Sequence, residues 1–513
     1  MKSIKKYFAG LLIATLLFSN CDKDFDEINT NKTAFVAIDP VFKMNRAIIN
    51  VAEMGANRIQ QLQIAMWLTT PFGTSLAGAN YNQFVPGFHL FPWTSFYSSS
   101  VVTTVDVINE TKDDALRFNL YQVARIWKAF TFMILTDTYG DVPYKEAGRG
   151  FLDQITKPVY DTQEEIYTDI LKELDEASAA LDPAKAKPSG EILYAGDITK
   201  WKRLGYSLLL RGAMRLSKIA PDKAKTYVKK AVAGGLMLSN ADNAKLLRSA
   251  VSEYRNPIGI EISGNEKANY YAQKEFVELL KTTNDPRLGS WLHRFVGATG
   301  VSGQINSVRT KDPALVKGMP LGFDDITIKN TYAAEGVASL YDYSQFDWQV
   351  VFTNTSPQWY CTYSQTQLLV AEAIMKGWTT GVAATSFSNA IKADLERMAE
   401  FGTPAAIPAA AITAYVAANP LVVGNEEKMI GEQYWVVSIP NGFEGWSNFR
   451  RTGYPNLTPN PYPGSEIPGE FIRRHVYPDI EIISNKVNLD AAIARQGGAA
   501  NTKMNGRVWW DKK

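Results

Sequence analysis

The chain has 513 residues, 46% hydrophobic and 21% charged, so it has the apolar material for a large core and wholesale disorder is excluded. Its 54 basic and 52 acidic side chains nearly cancel, which argues against a general nucleic-acid binder that works by neutralising phosphates. The three histidines, His89, His293 and His475, are far apart and lack metal-ligand spacing, which argues against a histidine-based metalloenzyme.

Lys2, Lys5 and Lys6 precede an apolar run from Tyr7 to Phe18, then Ser19, Asn20 and Cys21. A charged start, a hydrophobic stretch and a small or polar border form an export signal. The apolar run is shorter than the ~20 residues a bilayer-spanning helix needs. Leu17-Phe18-Ser19-Asn20-Cys21 resembles a lipobox, whose cysteine is acylated and becomes the first mature residue, although Asn20 stands where Gly or Ala is usual. Residues 1–20 therefore read as a lipoprotein signal peptide and Cys21 as the lipidation site. Acyl chains contribute about 0.8 kcal/mol per buried methylene, so several on one cysteine anchor a protein stably. With Cys21 acylated, Cys361 has no partner for a disulfide. Residues 21–36, which include Asp22-Lys23-Asp24-Phe25-Asp26-Glu27, read as an acidic tether. Its acids lack the glycine turn and terminal glutamate of a calcium loop, so no metal or other cofactor is assigned; calcium stays open but is not indicated.

Residues 37–513 read as one helical domain. Asp114 to Thr136 carries Leu116, Leu120, Val123, Ile126, Trp127, Phe130 and Ile134 at helical steps. Thr162 to Glu165 is a capping box for a helix that buries Ile166, Ile170, Leu171 and Leu174 and stops before Pro183. Ile198–Ile219 and Asp222–Ala233 form a helix pair, and Trp201-Lys-Arg-Leu204-Gly205 matches the opening of a tetratricopeptide repeat. Further helices are expected at Thr362–Lys376, Ala383–Glu400 and Glu426–Val437. Between them, 71–92, 254–270, 295–357 and 443–485 have no clear period and are rich in Gly, Pro, Asn and aromatics. Such long loops tend to be functional.

No local pattern marks a catalytic centre: there is no phosphate-binding glycine loop, nucleophile elbow or zinc-protease motif. Paired carboxylates of the glycosidase type stay open, since many acids are available, but nothing singles out two. Asp137 to Tyr144 reads as a helix-ending turn with Asp141 bonding backbone amides, in preference to a cation cage. Asn284-Asp-Pro-Arg287 reads as a turn with an arginine clamp. Arg450 and Arg451, near Glu444, are expected in buried ion pairs more than on an anionic ligand.

These strings carry a resemblance. Asp26-Glu-Ile-Asn29, Leu135-Thr-Asp-Thr-Tyr-Gly-Asp-Val-Pro-Tyr144, Asp285-Pro-Arg-Leu288, Leu368-Leu-Val-Ala-Glu-Ala373, Asn441 to Pro455, Arg473-Arg-His-Val-Tyr-Pro478 and Val508-Trp-Trp-Asp511 occur in order along the chain. Together they resemble the SusD/RagB family of Bacteroidetes nutrient-binding lipoproteins, in its SusD-like branch. The resemblance implies an all-α fold of tetratricopeptide-like helix pairs, with long irregular loops forming the ligand face. It implies an outer-membrane position facing the cell exterior, since the acidic tether is similar to a surface-export signal. It also implies a SusC-like TonB-dependent transporter as partner, a captured oligosaccharide or peptide, and no catalysis.

A glycan site needs flat aromatic faces for sugar C–H surfaces and polar groups for hydroxyls. Two loops offer both: 71–93, with Tyr81 and Asn82, and 339–360, with Tyr341, Gln345, Trp348, Trp359 and Tyr360. Trp348 and Trp359 are the first candidates, then Tyr81, Tyr360 and Asn82. Trp93, four residues before Tyr97, is expected to start a packed helix. Two rival functions remain at this point: a lipid-anchored glycoside hydrolase, and a helical-repeat adaptor without a small ligand.

Overall fold

A computed structural model describes residues 38–52, 56–73, 78–264 and 266–512. The signal peptide, Cys21 and the tether lie outside the described residues. The helical scaffold begins where local chemistry says it should. Thr162 Oγ1 accepts from the Glu165 amide at 3.2 Å while Glu165 Oε2 accepts from the Thr162 amide at 3.3 Å, closing the expected capping box on Gln163–Ala180. Asp114 caps a short 3-10 turn instead of starting the long helix, which runs over Phe118–Tyr139. Leu116, counted as a core position by its spacing, lies in that turn and is 78% exposed. Gly140 ends the helix at φ +84°, a conformation that side chains with a Cβ rarely adopt.

Helices Ile198–Arg215 and Pro221–Gly234 form the expected pair, which packs in succession on 163–180 and 118–139. Gly205 lets the first of them approach its neighbour, because a Cβ there would meet Ser178 Oγ. Tyr363–Met375, Ala383–Arg397 and Glu426–Val437 continue the scaffold, and Thr362 and Gln365 form a second capping box. These helices enclose a core that includes Trp127, Trp201, Leu208, Leu368 and Trp510. A second core gathers Trp67, Phe276, Trp291, Trp435 and Trp446, and a third, smaller one forms around Tyr271, Met319 and Tyr343. Pro40–Lys513 makes one compact unit.

Several segments without a readable period are helical. Gly442–Thr452 is buried on every side, its charged residues included, so it has no polar face for a periodicity to reveal. Pro86–Ser95 carries Pro92 inside it and continues as a π-helix over Phe96–Val101, so Trp93 is buried within a helix and does not start one. Helices Pro257–Ser263, Ala409–Ala418 and Lys486–Arg495 also lie outside the expected set. Short antiparallel strands pin the loops: 358–361 pairs with 244–246, and 292–295 lies between 309–310 and 345–346.

The motif residues meet in a buried polar network. Arg215 Nε donates to Asp137 Oδ2 at 3.1 Å, and its Nη2 donates to Glu444 Oε2 at 2.8 Å. Tyr167 and Trp510 donate to Asp137 Oδ1, and Tyr434 donates to Glu444 Oε1. Arg450 Nη1 donates to the carbonyls of Asp137 at 2.7 Å and Arg473 at 2.6 Å. Arg451 makes a two-pronged bond to Glu372, at 2.7 and 2.6 Å. Both arginines therefore serve the interior, as expected, although Glu444 pairs with Arg215 and not with either of them. Arg287 bonds Asp285 and Asp394, which is the arginine clamp, and Asp141 accepts from the Gln163 amide at 3.0 Å.

Breaking one partner of a buried ion pair strands a charge and costs about 3–5 kcal/mol. Arg215→Leu is expected to lower stability by that amount, read as a fall in the urea midpoint; an unchanged midpoint would show the network to be dispensable. His89 and His475 give a second handle. Burial pushes His89 down to about 3 and holds His475 well below its ordinary value. Both are neutral when folded and bind protons once unfolded, at about 6.5, so stability is full above that pH and is lost as pH falls below it. Each should remove about 1.4 kcal/mol per pH unit below 6. A melting midpoint that stays flat from pH 7 to 5 would contradict this.

A candidate ligand-binding face around Trp348

The structure sorts the nominated aromatics by burial. Trp359 and Tyr360 lie on strand 358–361, whose four residues are all buried. Side chains alternate between the faces of a strand, but here both faces are covered, so neither residue reaches solvent. The Arg397 guanidinium sits 4.6 Å from the Trp359 ring centroid, and Phe401 meets the same ring edge-on at 5.1 Å. Tyr360 donates its hydroxyl to the Ile48 carbonyl at 2.8 Å and packs edge-on against Trp127. Tyr81 stacks on Tyr462 at 4.4 Å and donates to the Pro71 carbonyl. Asn82 donates to the Glu470 carbonyl at 3.2 Å. Beside it, Gln63, Phe449 and Phe471 help line a cavity of about 20 Å³, room for one water but not for a sugar ring. As placed here these four side chains are buried and engaged within the fold.

Trp348 is different. It follows strand 345–346 and is half-buried, with its ring against the second core. The Lys267 ammonium stands 5.5 Å from its ring centroid, and the His293 ring meets it edge-on at 6.0 Å. Beneath it, Asp347 is fully buried. Its Oδ2 lies 2.5 Å from Arg309 Nη2 and 2.7 Å from Lys311 Nζ, and its Oδ1 lies 3.4 Å from His293 Nδ1. Burial alone would push the Asp347 carboxyl up, but the His293 contact and the Lys311 charge outweigh it and hold the group below the usual carboxylate range. Burial pushes His293 the other way, below its ordinary value, so it is neutral near pH 7.

The surroundings supply further ligand chemistry. Gln345 Nε2 donates to the Lys267 carbonyl at 2.6 Å. Gln304 Nε2 donates to the Tyr341 carbonyl at 3.0 Å and to Gln345 Oε1 at 3.3 Å. These bonds tie Gln304 and the Tyr341 backbone to Gln345, whose amide also holds the carbonyl of the exposed Lys267. The face thus offers an aromatic ring, an amide and an ammonium, which suits a glycan's mixed C–H and hydroxyl surface. Asp347, kept ionised by its cations, is the opposite of the raised-pKa acid that glycoside hydrolysis uses. The sequence reading missed Lys267, Gln304, Arg309 and Lys311. They sit 37–81 residues before Trp348, in loops without a period; strand pairing brings the 309–311 segment to it, and hydrogen bonds to Gln345 bring Lys267 and Gln304. A larger cavity of about 360 Å³, lined by Leu280, Asn284, Pro286, Leu288 and Pro313, carries no aromatic ring.

Comparison with known proteins places this geometry. Residues 31–478 match a family model described as starch-binding and associating with the outer membrane. Among solved structures, a chitin-binding protein shares 28% identity and a TM-score of 0.81 over 93% of this chain and 100% of its own. A Bacteroidetes SusD-like protein, AC2a, shares 25% identity and a TM-score of 0.80 over 93% of this chain and 100% of its own. A chitin-binding SusD homolog from Flavobacterium johnsoniae, at 24% identity and a TM-score of 0.73 over 92% of this chain and 98% of its own, has the same fold. No curated protein matches the chain. With a family match that spans most of its length and the mostly helical architecture to go with it, the chain belongs to the SusD-like family.

Proposed function

We propose that this protein is a cell-surface lipoprotein that captures a glycan and delivers it to a SusC-like TonB-dependent transporter, with no reaction and no cofactor of its own. One observation carries the reading: the end-to-end likeness to a chitin-binding protein, at 28% identity and a TM-score of 0.81. The family's description as starch-binding and outer-membrane-associated supports it, and so does the open aromatic and polar face at Trp348. In this reading residues 1–20 are removed on export, acylated Cys21 holds the chain in the outer membrane, and residues 21–36 let the body face the exterior.

Residues 22–513 should bind chito- or malto-oligosaccharides saturably in calorimetry and leave them intact by product chromatography. Cleaved products would overturn the non-enzymatic reading, and binding to peptides alone would overturn the glycan. Trp348→Ala should weaken that binding about tenfold, on the order of 1.4 kcal/mol, while leaving the fold in place. Trp359→Ala removes a core ring and should instead cost about 3–5 kcal/mol of stability. The reverse pattern would move the site to strand 358–361.

A further inference from the structure

Resting on that glycan reading, we propose that the Trp348 face selects glycans that carry an anionic substituent, a carboxylate or a sulfate ester. The argument starts from charge. Arg309 and Lys311 both converge on one oxygen of Asp347, at 2.5 and 2.7 Å, so two cations share a single carboxylate. Lys267 adds a third cation over the Trp348 ring and makes no salt bridge among the described residues. His293, wedged between Asp347 and Trp348, contributes no charge, and its Nε2 has no hydrogen-bond partner among the described residues. The acids nearest in sequence are engaged in their own turns: Glu266 accepts from Asn269 at 2.5 Å and Asp312 from the Ala314 amide at 3.0 Å. The neighbouring Arg294–Asp342 pair, at 2.8 Å, balances itself.

Unmatched donors point the same way. Trp348 Nε1 and Arg309 Nε are buried and have no hydrogen-bond partner among the described residues, and each can only donate. Buried donors are normally paired, so these two beside three cations mark a place suited to acceptor oxygens. A sugar ring on Trp348 would displace the Lys267 ammonium from the indole face and place a substituent within its reach, with Lys311, 30% exposed, on the other side. Carboxylate and sulfate both supply that charge and those oxygens.

The test compares chitohexaose with its 6-O-sulfated form and with a hyaluronan hexasaccharide, all titrated into residues 22–513. At about 50 mM salt at least one charged ligand should bind on the order of tenfold more tightly than chitohexaose, and the gap should close near 0.5 M salt as charges are screened. Whichever charged arm leads identifies sulfate or carboxylate. Lys267→Met, which breaks no salt bridge among the described residues, should erase most of the preference and leave the melting temperature unchanged; Lys311→Gln should reduce the preference in the same way. Equal binding of neutral and charged ligands, or a preference that survives Lys267→Met, overturns the inference while glycan capture stands. Failure of all three ligands, together with the chito- and malto-oligosaccharides, overturns the glycan reading and this inference with it.

Discussion

Arg215 is the residue on which the scaffold turns. It lies at the end of the 198–215 helix and reaches both Asp137, near the end of the 118–139 helix, and Glu444, in the first turn of the 442–452 helix. Tyr434 and Tyr167 bring in two more helices, and Trp510 ties the C-terminal segment to the same carboxylate. A buried ion pair adds little net stability over apolar packing, because desolvation offsets most of the attraction. Its effect is geometric: carboxylates and guanidinium this deeply buried are satisfied together in one placement of the helices. The C-terminal strings add to it. Arg474 reaches the Tyr139 carbonyl, and the His475 amide donates to Thr138 at 2.8 Å. The motifs that identify the family therefore hold the scaffold, and the candidate face at Trp348 lies elsewhere.

The candidate face at Trp348 is built on the opposite principle. It has short strands, many turns and side chains drawn from several loops. Its rigidity comes from Asp347, a buried carboxylate that gathers Arg309, Lys311 and the Gln349 amide and so fixes the turn from which Trp348 projects. Gln345 plays the same part for the Lys267 loop, bonding the carbonyls of Lys267 and Tyr270. Loops fastened by side-chain bonds can change their outward residues while the fastening persists, which is how one helical scaffold can serve different ligands.

Legibility followed the length scale of the interactions. The helix pairs could be read because capping boxes and apolar periodicity act within a few residues, as at Thr162 and along 163–180. The 442–452 helix could not, because residues such as Glu444, Asn448 and Arg451 are buried by partners far along the chain and no polar face remains. Among the aromatics, composition promised platforms, but a ring's role depends on what lies over it. Trp348 and Trp359 are eleven residues apart in one loop-rich segment, and one is half-exposed beneath a lysine while the other is sealed by Arg397 and Phe401.

The sequence alone determined the helical scaffold and, through its ordered motifs, the family, because each depends on neighbours in the chain or on strings that stay intact. Only the tertiary structure decided which aromatics are open. It also assembled the charged base of Trp348, since Lys267, His293, Arg309, Lys311 and Asp347 come from separate segments that meet around one small three-stranded sheet. Burial and charge balance are sums over neighbours in space, and chain order does not contain them.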